Sequence, residues 1–306
     1  MTFTIYSHPD CEAHVTPPGH PERVDRMPAV LKALEGIEAD WVEAPLADDV
    51  PLLRAHPADY IAKATTAPAD GWTSLDPDTH ISATSTPAIR RAAGANVAAV
   101  DLVMGGKAKG AFCATRPPGH HAEKEMAMGF CFLANASIAA LHAIEAHGAA
   151  RVAIADFDVH HGNGTQDVFW DDPRVVFASS HQSPLYPGTG MKHETGTGNI
   201  HNATIPPMGG TVEFRQVWTD RLLPAIDAHA PDLIIISAGF DAHTRDPLAN
   251  LNVTDEDFAW ITEKLCDLAD KHAQGRVVST LEGGYDLSGL ATGAAAHVEV
   301  LAERCA

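Results

Sequence analysis

Cysteine is scarce in this chain of 306 residues, and its five copies (Cys11, Cys113, Cys131, Cys266 and Cys305) are odd in number, scattered, and never spaced as C-x-x-C. That excludes a disulfide framework and a zinc ribbon, and points to reduced thiols. Also missing is any apolar run near the roughly 18 residues that a bilayer span needs. The opening Met1-Thr2-Phe3-Thr4-Ile5-Tyr6 lacks the basic and long apolar stretches of a signal peptide, so the expectation is a cytoplasmic protein without membrane contact. Basic residues are few: 21 Lys and Arg against 40 Asp and Glu leave a net charge of −19. Such a field repels phosphate backbones, which argues against direct nucleic-acid binding, and draws cations inward. Most of that charge serves solubility. Neither a linker, a low-complexity tract nor a long-period repeat interrupts the chain, and one α/β domain over 1–306 is expected.

Helical spacing of apolar residues runs from Gly19-His20-Pro21 to Leu34, then over Ala58 to Ala67, Thr86 to Met104, Leu133 to His147, Glu213 to His229, Thr254 to Ala273 and Ser288 to Arg304. Strands are predicted near Met1 to Tyr6, Trp41 to Glu43, Ala111 to Ala114, Val152 to Asp156, Val175 to Ser179, Leu233 to Ser237 and Val277 to Leu281. Continuous apolar runs of this kind suit a mostly parallel sheet covered by helices on both faces. Asp70 to Ser85 and Gln182 to Thr211 read as long irregular loops around the rim of a crevice.

Four of these runs lead directly into unusual polar residues: Arg116-Pro117-Pro118-Gly119-His120-His121, Asp156-Phe157-Asp158-Val159-His160, Gly239-Phe240-Asp241 and Glu282-Gly283-Gly284-Tyr285. Parallel sheets place their chemistry at the carboxyl ends of strands. If the second segment stayed extended, strand alternation would put Asp156, Asp158 and His160 on one side. Asp158, Asp241 and His160 offer two carboxylates and an imidazole without a thiolate, the layout of a catalytic zinc site with an open position. Fe2+ and Co2+ would accept the same donors. The tandem His120-His121 brings groups of near-neutral pKa for proton transfer. Asp156 is the expected partner of one ring and Asn163 of the other, which makes the pair electrostatically unequal. Tyr285, after two glycines, could swing a phenol over the site as an oxyanion donor.

Taken together and in order, RPPGHH (116–121), GFCFLAN (129–135), DFDVHHGNGT (156–165), YPGTG (186–190), SAGFDAH (237–243) and LEGGYDL (281–287) resemble the histone deacetylase superfamily, and HHGNG and LEGGY are similar to its class II branch and bacterial amidohydrolases. The resemblance implies an arginase-like α/β fold and zinc-dependent hydrolysis of an acyl amide. It implies Asp158, His160 and Asp241 as metal ligands, His120 and His121 as the tandem histidines, and Tyr285 as the transition-state tyrosine. Gly129, Phe130 and Tyr186 fall at the walls of an acyl-lysine tunnel, Tyr186 where relatives usually carry Phe. Asp78 falls where relatives hold a substrate backbone, and Arg26 where an arginine lines a channel for released acid. K+ or Na+ sites are implied around Asp156, Asp158, His160, Ser179 and Ser180, and at the carbonyls of Phe169, Asp172 and Val175.

The substrate is then an acetyl-lysine peptide or protein, with acetylated polyamine as the alternative. Leu248 stands where a polyamine-selective relative carries a gatekeeping glutamate, which favours the first. A homo-oligomer is left open. A silent acyl-binding relative would need a lost ligand, histidine or tyrosine, and none is lost. A ureohydrolase would need a two-manganese bridge of further aspartates. Cys113 and Cys131 read as buried small hydrophobes, and His14, His20, His80, His193 and His201 as solvated loop residues.

Overall fold

The computed structural model describes residues 2–306. Its ten strands are β1 (Thr4–Ser7), β2 (Asp40–Glu43), β3 (Trp72–Asp76), β4 (Thr79–Ser82), β5 (Gly110–Cys113), β6 (Val152–Asp156), β7 (Val175–Gln182), β8 (Ile200–Ile205), β9 (Leu233–Ala238) and β10 (Val277–Leu281). Eight of them form one sheet in the order β2-β1-β5-β10-β9-β6-β7-β8, parallel throughout. The four strands that precede the polar motifs, β5, β10, β9 and β6, are therefore four contiguous strands at the centre. Their carboxyl ends open side by side, which is how segments far apart in sequence come to share one crevice.

Both faces of the sheet's centre are covered, so β5, β6, β9 and β10 are buried along their whole length, whereas the edge strand β2 is exposed. Helices Ser85–Met104 and Asn135–His147 pack with Ile154, Ile235 and Val278 on one face. Helices Arg26–Leu34, Asp255–His272 and Leu287–Cys305 pack with Ile5, Ile234 and Ile236 on the other. Local chemistry marks the helix ends. Thr254 and Asp257 form a reciprocal capping box, three acidic residues fill that helix's first turn, and Lys271 and His272 its last, matching the helix dipole. Asp286 accepts from the Gly289 N–H at 2.8 Å to start the last helix.

Several sequence expectations need correction. The helix expected to open at Gly19 begins at Arg26, since residues 20–25 form bends and turns, and a short helix at Asp10–Ala13 precedes it. The segment 70–85 contains the antiparallel hairpin β3–β4, and the segment 182–211 contains β8, the edge strand beside β7. Helix Asn163–Phe169 lay hidden behind the histidine motif. The helix expected over 213–229 starts at Thr211 and passes through a π-helical turn at Trp218–Leu222. His14 is buried and bonds Ser85 Oγ at 2.7 Å, while His201 lies on β8. All five cysteines are buried. Among the described residues no helix is long and apolar enough to cross a membrane.

Candidate metal centre and tunnel

Strand β6 stops at Asp156, and the chain then bends instead of continuing extended. Two successive turns, not strand alternation, aim the following side chains: the Asp158 N–H donates to Asp156 Oδ1 at 3.1 Å, and the His160 N–H to Asp158 Oδ1 at 2.9 Å. Asp241 arrives from the end of β9 and is held by the Val159 N–H at 2.8 Å. His160 Nδ1 then lies 3.2 Å from Asp158 Oδ1 and 3.1 Å from Asp241 Oδ2, and all three side chains are buried. The surrounding glycines provide the room: a β-carbon on Gly239 would lie 2.0 Å from Asp158 Oδ2, and one on Gly283 2.1 Å from Asp241 Oδ2.

Burial opposes a charge on His160, yet its bonds to Asp158 and Asp241 outweigh that and lift its pKa to about 10. Burial and the charge of Asp158 push Asp241 up to about 7. Two buried carboxylates thus face one imidazole, with neither Lys nor Arg hydrogen-bonded to them. An O, O, N donor set with surplus negative charge fits a divalent cation.

A second cluster, Asp101, His142 and His147, also brings three donor atoms together. There the Arg54 guanidinium donates to His142 Nδ1, which places that ring's proton on Nε2, aimed at Asp101 Oδ1 2.8 Å away. Hydrogen bonds use up the lone pair that a metal would need.

The tandem histidines have unlike partners. His120 Nδ1 is 3.0 Å from Asp156 Oδ2, and Asp158 lies 3.8 Å from its Nε2. Burial would lower its pKa, but these two carboxylates hold it well above the usual value. His121 Nδ1 is 2.7 Å from Asn163 Oδ1, and burial together with the charges of His120 and His160 drives its pKa well below the usual value. Asn163 cannot turn over freely, because its amide donates to Glu123 Oε1 at 2.7 Å and approaches Met128 Sδ at 3.3 Å. Its oxygen therefore faces His121, which fixes the proton on Nδ1 and leaves Nε2 as the acceptor.

A cavity of about 220 Å3 leads to these groups, lined by Asp78, His121, Gly129, Phe130, His160, Leu185, Tyr186, Leu248 and Tyr285. Tyr285 and Phe130 meet edge to face at 5.7 Å, and Tyr186 meets His121 the same way at 5.3 Å. Gly129 and Phe130 both take positive φ, 56° and 68°, an uncommon conformation for phenylalanine. The β3–β4 turn holds it: Asp78 Oδ1 accepts from the Gly129 N–H and Thr79 Oγ1 from the Phe130 N–H, both at 3.0 Å. His20 and His80, expected to be solvated, stand at this rim, with His20 against Phe130 at 4.7 Å.

Three residues around the site escaped the sequence reading. Asp246 accepts from the Tyr285 N–H at 2.7 Å and the Leu248 N–H at 3.0 Å, tying one rim to the tyrosine turn. Glu282 accepts from the Gly119 and His120 N–H groups and from Ser237 Oγ behind the histidine turn, and burial raises it to about 7. Glu123 orients Asn163. Only Glu282 had a sequence signal, a carboxylate closing an apolar strand. Arg26 is fully buried: it donates to Glu22 and to the carbonyls of Glu282 and Gly284, and its guanidinium lies 5.1 Å from the Tyr285 ring. Of the expected monovalent-cation residues, Ser179 pairs with Asp156 across β6 and β7, its Oγ 2.9 Å from His181 Nδ1, while Ser180 Oγ accepts from Trp218 Nε1. The carbonyls of Phe169, Asp172 and Val175 converge on the side-chain amide of Asn199.

Compared with known proteins, residues 18–301 match the family described as Histone deacetylase domain. The histone deacetylase-like amidohydrolase of Pseudomonas aeruginosa is 38% identical over 284 residues, covering 89% of this chain and 74% of that protein. A probable deacetylase of Archaeoglobus fulgidus is 36% identical over 302 residues, covering 94% and 83%. Among solved structures, the HD domain of HDA15 superposes with a TM-score of 0.93 at 33% identity, covering 99% of this chain and 89% of that one.

Proposed function

The chain belongs to the histone deacetylase family, and from that premise we propose that it is a zinc-dependent hydrolase of acyl amides acting on acetyl-lysine in peptides or proteins. The observation that supports this reading is convergence: His121, His160 and Tyr285 line one cavity, and His160 lies against Asp158 and Asp241, the two carboxylates that complete a three-donor cluster. A zinc ion held by those three donors would polarise the amide carbonyl and acidify a water. His121, its Nδ1 committed to Asn163, takes the water's proton at Nε2 as oxygen attacks the carbonyl carbon. Tyr285, kept protonated by burial and the nearby Asp241 charge, donates to the carbonyl oxygen as negative charge grows there. His121 passes its proton to the nitrogen as the C–N bond breaks, releasing amine and carboxylate. His120 remains the charged partner of Asp156 and steadies the developing anion. The aromatic walls Phe130 and Tyr186 confine an extended aliphatic stem.

A second reading rests on the rim. Asp76 and Asp78 flank the hairpin turn, burial and the Asp78 charge raise Asp76, and such paired carboxylates would welcome an acetylated polyamine. The test is a metal count together with hydrolysis of acetyl-lysine peptide, trifluoroacetyl-lysine and acetylspermidine. One zinc per chain is expected, and Asp241→Ala or His160→Ala should each abolish activity along with tight zinc binding. Full activity in thoroughly metal-free protein would remove the reading, and a tenfold or greater preference for acetylspermidine would reverse the substrate order.

A further inference from the structure

The resemblance assigns a second monovalent cation to the main-chain oxygens of Phe169, Asp172 and Val175. In this chain those three oxygens lie 2.9, 3.1 and 2.9 Å from one atom, Nδ2 of Asn199. We propose that the Asn199 carboxamide takes that cation's place, so that a tethered, uncharged donor closes the cage and K+ or Na+ does not enter it. The amide's orientation is fixed from its other end. Oδ1 accepts from the Thr197 N–H at 3.1 Å and from Thr197 Oγ1 at 3.0 Å, which leaves only the NH2 to face the carbonyls. Turned over, it would set an oxygen against three oxygens. Asn199 is buried, and a nitrogen 3 Å from all three acceptors leaves no room for an ion between them.

The backbone makes this placement specific. Asn199 directly precedes β8, and its own carbonyl accepts from the Phe177 N–H of β7 at 2.9 Å. Gly196 lets the incoming turn approach: it has φ +53°, and a β-carbon there would lie 2.6 Å from the Trp170 carbonyl oxygen and 2.8 Å from Asn199 Oδ1. One side chain thus joins the end of helix Asn163–Phe169, the turn at Asp172 and the start of β7. Two N–H bonds shared among three acceptors are directional, and they do not dissociate. A bound ion adds stability that depends on its concentration, whereas a covalent donor adds stability that does not.

Two experiments decide it. Wild-type crystals soaked in rubidium chloride should show no anomalous peak among the three carbonyls, whatever appears near Asp156 and Ser179. A peak within about 3 Å of those oxygens, a contact distance typical of coordination shells looser than that of Ca2+, would overturn the proposal. Thermal midpoints of wild type, Asn199→Ala and Asn199→Asp are then compared in potassium chloride and in choline chloride of equal ionic strength. Any ion held elsewhere affects all three alike. The variants should each gain about 3 °C or more of potassium-specific stabilisation beyond that of wild type, the Asp variant most, because its carboxylate repels the carbonyls until a cation intervenes. Potassium responses equal to wild type would overturn the proposal. A variant that fails to fold in both salts leaves the decision to the rubidium map.

Discussion

The phenol of Tyr285 and the carboxylate of Glu123 are separable tests at the scale of single residues, since one would touch the reacting atoms and the other acts through Asn163. Tyr285→Phe keeps the ring against Phe130 and Arg26 and removes one hydroxyl. A packing tyrosine would tolerate it; an oxyanion donor should lose on the order of a hundredfold in kcat, with KM, zinc content and thermal midpoint near wild type. Retention of more than half of kcat would dismiss the assigned role. Glu123→Ala frees the Asn163 amide to turn, which would present an N–H to His121 in place of an oxygen. Roughly a tenfold fall in kcat and a displaced limb of the pH–rate profile are expected, with Glu123→Gln restoring most of the rate. A parallel loss in both variants with an unmoved pH profile would show that Glu123 merely packs. The residues of the metal cluster were legible in the sequence because each follows an apolar strand. Glu123 was not, because its bond runs 40 positions along the chain to a helix that no periodicity announced.

At the scale of elements, the central strands were legible, since double burial writes a continuous apolar run, and the rim was not. β3 is largely exposed, and its Trp-Thr-Ser-Leu-Asp pattern has no buried face to declare it. β8 is an edge strand with His201 and Thr204 among its apolar residues, and its pairing with β7 is a long-range contact that local spacing does not reveal. Yet the β3–β4 turn brings Asp78 to the cavity wall, and Asn199 directly precedes β8. Leu248 belongs to another such rim segment, where Asp246 ties it to the Tyr285 turn and leaves its side chain partly exposed at the mouth. A carboxylate introduced there should recognise a distal ammonium without disturbing the buried donors. Leu248→Glu should therefore raise the ratio of acetylspermidine to acetyl-lysine peptide turnover about tenfold, equivalent to about 1.4 kcal/mol of discrimination. An unchanged ratio, measured as kcat/KM for each substrate, would mean that position 248 does not meet the amine.

For the whole molecule, the buried neutral histidines set where acid begins to unfold the chain. Burial lowers His14 to about 4, His181 to about 4 and His297 to about 3. His297 shows how neutrality is fixed: Thr262 Oγ1 gives its proton to the Phe258 carbonyl and so accepts from His297 Nδ1, 2.6 Å away, while Ser279 Oγ donates to Nε2 at 2.7 Å. Above about pH 6.5 the folded and unfolded rings are both neutral and cost nothing. As pH falls below that value only the unfolded rings take up protons, so stability is lost progressively toward the folded values. At about pH 5 each of the three contributes a loss of about 2 kcal/mol. Glu22 acts in a lower window. Burial would raise it, but Arg116 and Arg26 hold it at about 2, so the stability it contributes is present above its unfolded value of 4.5 and lost as pH falls toward 2. Acid weakening should thus begin near pH 6.5, before the carboxylates titrate. The check is urea unfolding of wild type and His297→Gln at about pH 7.5 and 5, the glutamine still reaching Thr262 and Ser279 but unable to titrate. The variant starts less stable, and its drop between the two pH values should be smaller by about 2 kcal/mol. Equal drops in the two proteins would show that His297 takes up its proton inside the folded core, and the acid sensitivity would have to arise elsewhere.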